Sequence, residues 1–385
     1  MIDIPKLIDD HGYDIYFLVH DPFLALYLDQ KFFFSITTYI PLASPKSPPA
    51  FSLEAVASIT NIKNSAQLLA HPAIQNFILT NSQSRHRKIA VMPFKPSAKI
   101  EKICSQNSWL LLSNPASLNR LLENKISFTK LCSQNNIPQI PNKIVKLTQK
   151  SYLQCTVLFG PKLVIQTGFG WAGNSTYLAT SWESISHHLP PKSVVKISPF
   201  LEGYTLINNC CLSNSVTYQS PPGLQYSGQA ALSSNPFATV GRQWPSFAPS
   251  PIIVQVTAIT NLVGKLLSNL NYRGYFGLDF FVSQGRVYLL ECNPRLTASF
   301  AFYHQLEQST GIIPLIYLHL LEFFKLTPSL DTAHQQSHRL HLTIQGSQLV
   351  KRSASGRIVH MLQKPHPLSQ DVRCLNLNQN ISDNL

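Results

Sequence analysis

The chain has 385 residues, 44% of them apolar and only 13% charged, and its 31 lysines and arginines outnumber 18 acids for a formal net charge of +13. That apolar share excludes a disordered chain, and the length calls for two or three domains. The basic residues are scattered, with only short clusters such as Arg85, Arg87, Lys88 and Lys351, Arg352, so the charge reads as a field that attracts anionic small molecules, with no nucleic-acid partner. Seven cysteines at irregular spacing without a CxxC pair indicate reduced thiols and a cytoplasmic protein. The first residues carry early acids and no long apolar core, and the longest apolar run, 311–324, is broken by Pro314, His319 and Glu322; neither a signal peptide nor a membrane partner is expected.

In chain order, residues 1–112 read as an α/β domain of small Rossmann-like type. Compact apolar runs at 14–19, 88–94 and 109–112 have strand length, and 97–106 has helical spacing. Residues 41–49 (PLASPKSPP) form a loop, and no GxGxxG opens the first turn, so a dinucleotide fingerprint is absent. A single helical segment is predicted from about residue 117 to 135, carrying Lys125, with two prolines in IPQIPN ending it.

A strand at 163–166 ends at Gln166 and is followed by Gly168, Gly170, Gly173, Asn174, Ser175 and Thr176. Glycines let a backbone approach a phosphate closely while amides and hydroxyls supply donors; the same pattern also serves a plain hairpin turn. Residues 194–212 give a strand containing Lys196, a break at Pro199, and a second strand containing Cys210 and Cys211. Residues 220–245 are polar, rich in glycine and serine, and without helical period. They are expected to be either an irregular binding loop, with Arg242 as a substrate or phosphate contact, or an ordinary surface excursion with an exposed arginine. Helices are predicted at 254–270 and 312–324. His304 and Gln305 either line an acceptor site or pack. In the extension 331–385, strand-like runs fall at 340–344 and 358–362, and the end at 376–385 is expected to fray.

The most informative stretch is 272–300, YRGYFGLDFFVSQGRVYLLECNPRLTASF. Two runs rich in aromatic and β-branched residues flank SQG and predict an antiparallel pair. Glu291 and Asn293 share one face by the two-residue alternation. Asp279 joins them if the loop has an odd length, such as 284–286, whereas a two-residue turn sets it on the other face. With the odd loop, two carboxylates and an amide oxygen converge beside Arg295. Crowded carboxylates need a positive partner, and all-oxygen donors favour Mg2+, with Mn2+ as an alternative. Cys292, on the opposite face, is expected to pack.

The lysine helix, glycine flap, proline-broken connector and acid hairpin, in this order, resemble the ATP-grasp superfamily of carboxylate-amine ligases over roughly 114–326, most specifically at GLDF and LLECNPR. The resemblance implies an α/β and α+β chain: a pre-ATP-grasp domain at 1–112, an ATP-grasp fold of two α+β subdomains gripping ATP at 113–330, with a flap subdomain at about 145–205, and an extension at 331–385. It implies that Lys125 touches ATP phosphates, that Gly168, Gly170, Gly173, Asn174 and Ser175 form the flap, and that Gln166, Lys196, Phe200 and Glu202 lie along the nucleotide. Asp279, Glu291 and Asn293 match the metal ligands and Arg295 the arginine that steadies the transferring phosphate. The implied reaction joins a small-molecule carboxylate to an amine or other nucleophile through an acylphosphate made from ATP. Two departures stand out. Gln166 replaces a second ATP-binding lysine, for which Arg242 is the candidate substitute, and Thr205 stands where an acid often meets the ribose. They leave a nucleotide-binding protein with lost or altered catalysis as the rival reading, and a kinase that stops at phosphoryl transfer as a third.

Overall fold

The computed structural model describes residues 3 to 350 apart from 20–21, 26, 40–47, 58–61, 63, 171–174, 234 and 343. The alternation at the start of the chain is realised as a parallel sheet of five strands, β1 (Tyr13–Leu18), β2 (Phe33–Thr37), β3 (Ala50–Ser52), β4 (Lys88–Pro93) and β5 (Leu110–Leu111), in the order β3-β2-β1-β4-β5. Both faces of β1 are covered, as buried parallel strands require. Tyr16 and Leu18 pack with Leu68, Ile74 and Ile78 from helices Ser65–Leu69 and Pro72–Ser84. Ile15 and Phe17 turn the other way, into a core shared with helix Leu315–Phe324.

Residues 116–134 hold two helices, Ala116–Glu123 and Lys125–Gln134, where the sequence predicts one. Asn124 makes the break: extended at φ −69°, ψ 111°, it accepts hydrogen bonds from the N–H groups of Ile126 and Ser127 at 3.0 Å and caps the second helix. Lys125 is thereby the first residue of a helix.

A four-stranded antiparallel sheet follows, built from β6 (Lys143–Lys146), β7 (Leu163–Thr167), β8 (Thr176–Ala179) and β9 (Val194–Pro199) in the order β6-β9-β7-β8. Its core is small, with Leu163, Ile165, Val195 and Ile197 against Tyr152 and Cys155 of helix Gln149–Phe159.

The largest sheet is antiparallel and has seven strands: β10 (Tyr204–Ser213), β11 (Val216–Gln219), β12 (Gly223–Ser227), β13 (Thr239–Trp244), β14 (Gly274–Ser283), β15 (Arg286–Asn293) and β16 (Gly346–Leu349), ordered β15-β14-β10-β12-β13-β16 with β11 paired to β10. Residues 220–245, expected to be irregular, thus supply the hairpin β12–β13. Helix Ser250–Asn269 is long and apolar enough to span a membrane, yet its inner face, from Ile252 through Val256, Ile259 and Val263 to Leu267, is buried against Phe276, Leu278 and Phe280 of β14. Helix Leu315–Phe324 covers the other face of β10 and β14. The extension also differs from expectation. Residues 332–340 form helix Thr332–Leu340, the strand lies at Gly346–Leu349, and the runs at 358–362 and 376–385 lie outside the described residues.

Replacing the cap, Asn124→Ala, is expected to lower unfolding free energy by about 1 kcal/mol, read as a reduced urea midpoint at unchanged m-value.

Candidate active site

The hairpin β14–β15 sets the geometry of the site. Its turn has two residues, Gln284 and Gly285, at φ 48° and 74°, the left-handed pair that suits the twist of the flanking strands. Such a turn alone would leave Asp279 opposite Leu290 and send Glu291 to the far face. A β-bulge between Asp279 and Phe280 corrects this: Phe280 pairs with Leu289, but Asp279 pairs with Glu291, so two residues of β15 oppose one of β14. The two carboxylates therefore meet on one face through a bulge, where an odd loop was expected. Asn293 pairs with Gly277 on the same face, while Cys292 pairs with Leu278 and is buried in the core beneath. All six cysteines within the described residues are free and buried.

Lys125 approaches the pair from the helix end. Its Nζ lies 2.6 Å from Glu291 Oε2 and donates to Gly170 O at 3.4 Å, while its N–H donates to Gly168 O at 2.8 Å. Gly168 sits so close to Asn124 that an added Cβ would meet Asn124 Nδ2 at 2.7 Å. One side chain thus links the acid hairpin to the base of the flap. Phe169 lies under the Arg120 guanidinium at 4.9 Å, a cation–π contact that adds a second tie.

Burial, the neighbouring Glu291 charge and the hydrogen bond with Glu291 push Asp279 well above the usual carboxylate range, against the opposing fields of Arg242 and Lys125. Burial alone would raise Glu291 too, but the Lys125 ammonium, hydrogen bonds from Lys125 and Asp279, and Arg295 outweigh it and hold Glu291 below its ordinary value. Two acids this close share a proton in the absence of a cation. The donor set suits a hard divalent ion that keeps part of its water shell, since the site offers two carboxylates and one amide oxygen.

Arg295 stands at the rim. Its guanidinium donates to Asn293 Oδ1 at 3.2 Å and to Leu296 O at 3.0 Å, contacts Glu123 Oε1 at 3.5 Å, and lies 5.2 Å from the Phe94 ring centroid. Glu123 also pairs with Lys95 at 2.7 Å. An amide oxygen has a second lone pair, so the Arg295 bond leaves Asn293 able to face a cation.

From these acids a cleft runs between the four-stranded sheet and the largest sheet. Polar walls come from Gln166, Ser175, Thr176, Lys196 and Ser198 on one side and from Thr205, Gln225, Ser227 and Thr239 on the other. Val164, Phe200, Leu201 and Phe281 add apolar surface to the lining, of a kind that suits a flat ring. Of the residues singled out in the sequence, Lys125, Gln166, Gly170, Ser175, Lys196, Phe200, Asp279 and Glu291 line this cleft. Gly168 braces its base, and Gly173 and Asn174 lie outside the described residues. Glu202 is exposed and meets the largest sheet through its backbone, where its carbonyl accepts from Ser283 at 2.7 Å. Arg242 is not among the lining residues; it is buried in β13, its NH1 donating to Gln348 Oε1 at 2.8 Å. His304 packs, with Nε2 3.1 Å from Tyr27 O. Gln225 and Thr239 were missed because their hairpin, broken by Gly, Pro and Ser, hid the alternation that would have placed them.

The arrangement of an acid hairpin, a lysine helix and a small antiparallel sheet closing over a larger one is the ATP-grasp fold. Residues 225–299 match the family model for an ATP-grasp domain. Similar solved structures include a biotin carboxylase–beta-gamma-ATP complex from Campylobacter jejuni (10% identity, 87% of this chain and 74% of that one, TM-score 0.61). N5-carboxyaminoimidazole synthetase from Staphylococcus aureus with ADP is also similar (10% identity, 83% and 78%, TM-score 0.55), as is phosphoribosylamine–glycine ligase from Thermotoga maritima (15% identity, 80% and 75%, TM-score 0.55). A curated relative, the carbamoyl phosphate synthase large chain of Helicobacter pylori, is 21% identical over 224 residues, which are 56% of this chain and 20% of that protein. The chain thus shares the ATP-grasp fold of these proteins, and its match to the ATP-grasp family model spans residues 225–299.

Lys196 is 3% exposed. Burial and the Lys125 charge bring its ammonium down to about 8, against smaller opposing effects of Cys132 and Glu291. A lysine whose folded value lies below its unfolded one opposes folding while it is charged: the penalty is full below about 8 and fades as pH rises towards 10.5. Lys196→Met is therefore expected to raise the stability of the ligand-free protein at pH 7, by up to about 3 kcal/mol, and to raise it less at pH 10, as seen in urea midpoints at the two pH values.

Proposed function

We propose that this protein is an ATP-dependent ligase that joins a carboxylate to an amine or other nucleophile through an acylphosphate. The observation that carries the reading is the convergence of Asp279, Glu291 and Lys125 in a cleft lined by both polar and apolar side chains, within an ATP-grasp fold. Similar structures solved with ADP or ATP, and the ligase and synthetase names among them, agree with it.

In this reading the apolar side chains of Val164, Phe200, Leu201 and Phe281 receive the nucleobase, and the phosphates extend towards the acids. Asp279, Glu291 and Asn293 hold Mg2+, or Mn2+, through oxygen; when bound, the ion neutralises phosphate charge and aligns the terminal phosphate. Lys125 moves its ammonium from Glu291 towards phosphate oxygens as the flap closes on Gly168 and Gly170. Arg295, held by Glu123 and stacked by Phe94, faces the terminal phosphate and offsets charge that develops during transfer. The substrate carboxylate attacks that phosphate and ADP leaves. The nucleophile then displaces phosphate from the acyl carbon, so the protein supplies position and charge and needs no covalent nucleophile of its own.

A second reading, a nucleotide-binding protein with altered catalysis, draws on Gln166, whose side-chain amide donates to Thr176 Oγ1 at 3.3 Å in the place of a cation. Formation of ADP from MgATP against a panel of carboxylates and amines separates the two. Ligase activity predicts ADP release that needs both substrates, a hydroxamate when hydroxylamine replaces the amine, and a loss of at least about 100-fold in Glu291→Ala. Nucleotide binding without turnover on any pair would favour the second reading, and no Mg2+-dependent nucleotide binding would sink both.

A further inference from the structure

The flap sheet contains a cation in an unusual setting. β9 alternates strictly, with Val195 and Ile197 in the small core and Lys196 and Ser198 facing the cleft. Lys196 is 3% exposed, and among the described residues its ammonium forms no hydrogen bond or ion pair. A buried charge without a partner is costly, and folds retain one where a ligand supplies the missing counter-charge. The cleft wall around it holds no carboxylate nearer than the acid hairpin, where Lys125 already contacts Glu291 at 2.6 Å.

Its register gives the charge a meaning. In the antiparallel pair β7–β9, Lys196 stands directly opposite Gln166, and such neighbours have Cβ atoms about 5 Å apart on the same face. A lysine at either position reaches the same part of the cleft. Gln166 also lines the cleft but is neutral, its side-chain amide donating to Thr176 of β8. Lys125 and Lys196 both line the cleft, close enough for the Lys125 charge to depress the Lys196 ammonium, and an anion bound beside both relieves that repulsion.

We infer that Lys196 is the second phosphate-holding cation of this site, a task carried one strand across the flap sheet from Gln166, and that its ligand is the phosphate chain of a nucleotide. The inference rests on the reading of the cleft as a nucleotide site and adds to it which residue carries the charge. It also replaces Arg242, whose guanidinium is turned to Gln348.

The test is calorimetric titration of the full chain with MgATP, MgADP and inorganic phosphate. Lys196→Gln is expected to weaken MgATP binding about 10- to 100-fold, the worth of a charge-assisted hydrogen bond. The double variant Gln166→Lys with Lys196→Gln, which moves the ammonium to the neighbouring strand, is expected to return to within about threefold of wild type. Groups facing the ammonium are Lys125, Glu291 and Cys132, whose thiol burial pushes up to about 12. Wild type should take up protons on binding near pH 8, and Lys196→Gln should lose that uptake; a purely structural lysine would show neither the uptake nor the rescue. Unchanged MgATP affinity in Lys196→Gln overturns the inference and leaves the cleft reading intact, as does a double variant as weak as the single one. Free phosphate bound as tightly as MgATP overturns the nucleotide assignment. No binding of any of the three by wild type overturns the cleft reading and this inference together.

Discussion

Two carboxylates are held against each other in a half-buried cleft, and much of the site exists to make that tolerable. Asp279 and Glu291 repel when both are charged; burial and Glu291 push Asp279 well above the usual carboxylate range, while Lys125 holds Glu291 below it. Lys125 relieves the rest, and its position is itself unfavourable, since an ammonium on the first residue of a helix adds to the positive end of the helix dipole. The strained charges thus support one another. The lysine is poorly placed except beside Glu291, and Glu291 is poorly placed except beside the lysine.

This arrangement needs a rigid frame, supplied by helix Leu315–Phe324. Nearly all of it is buried, because it lies between the parallel sheet on one side and β10 and β14 on the other. One core therefore runs from Phe17 to Tyr275 and Phe300, and the rim bearing Arg295 is tied to the first sheet through Phe94 and through the Glu123–Lys95 pair. The four-stranded sheet has a much smaller core and meets this frame mainly through Lys125, Gly168 and the Arg120–Phe169 contact.

The two sides of the cleft use charge differently. The acid side is paired within the protein, while the flap side leaves Lys196 buried and unpaired among the described residues. Stability given up in the flap becomes affinity available to an anion, the usual exchange between a stable fold and a working site.

The sequence by itself determined the residue types and their alternation. From it come three of the five strands of the parallel sheet, the pairing of 276–282 with 286–291, most of the helix at Ser250–Asn269, and the grouping of Glu291 with Asn293 on one face. These were legible because they depend on neighbours two to four residues apart. It could not place Asp279, since the turn alone would have put it on the wrong face and the correcting bulge at Leu290 has no local signature. For the same reason it joined two helices across Asn124 and took β12 and β13 for a loop. Only the tertiary structure decided which residue stands opposite which across strands far apart in sequence. Register is set by the packing of the whole sheet, and register is what turned two acids and a lysine into one site.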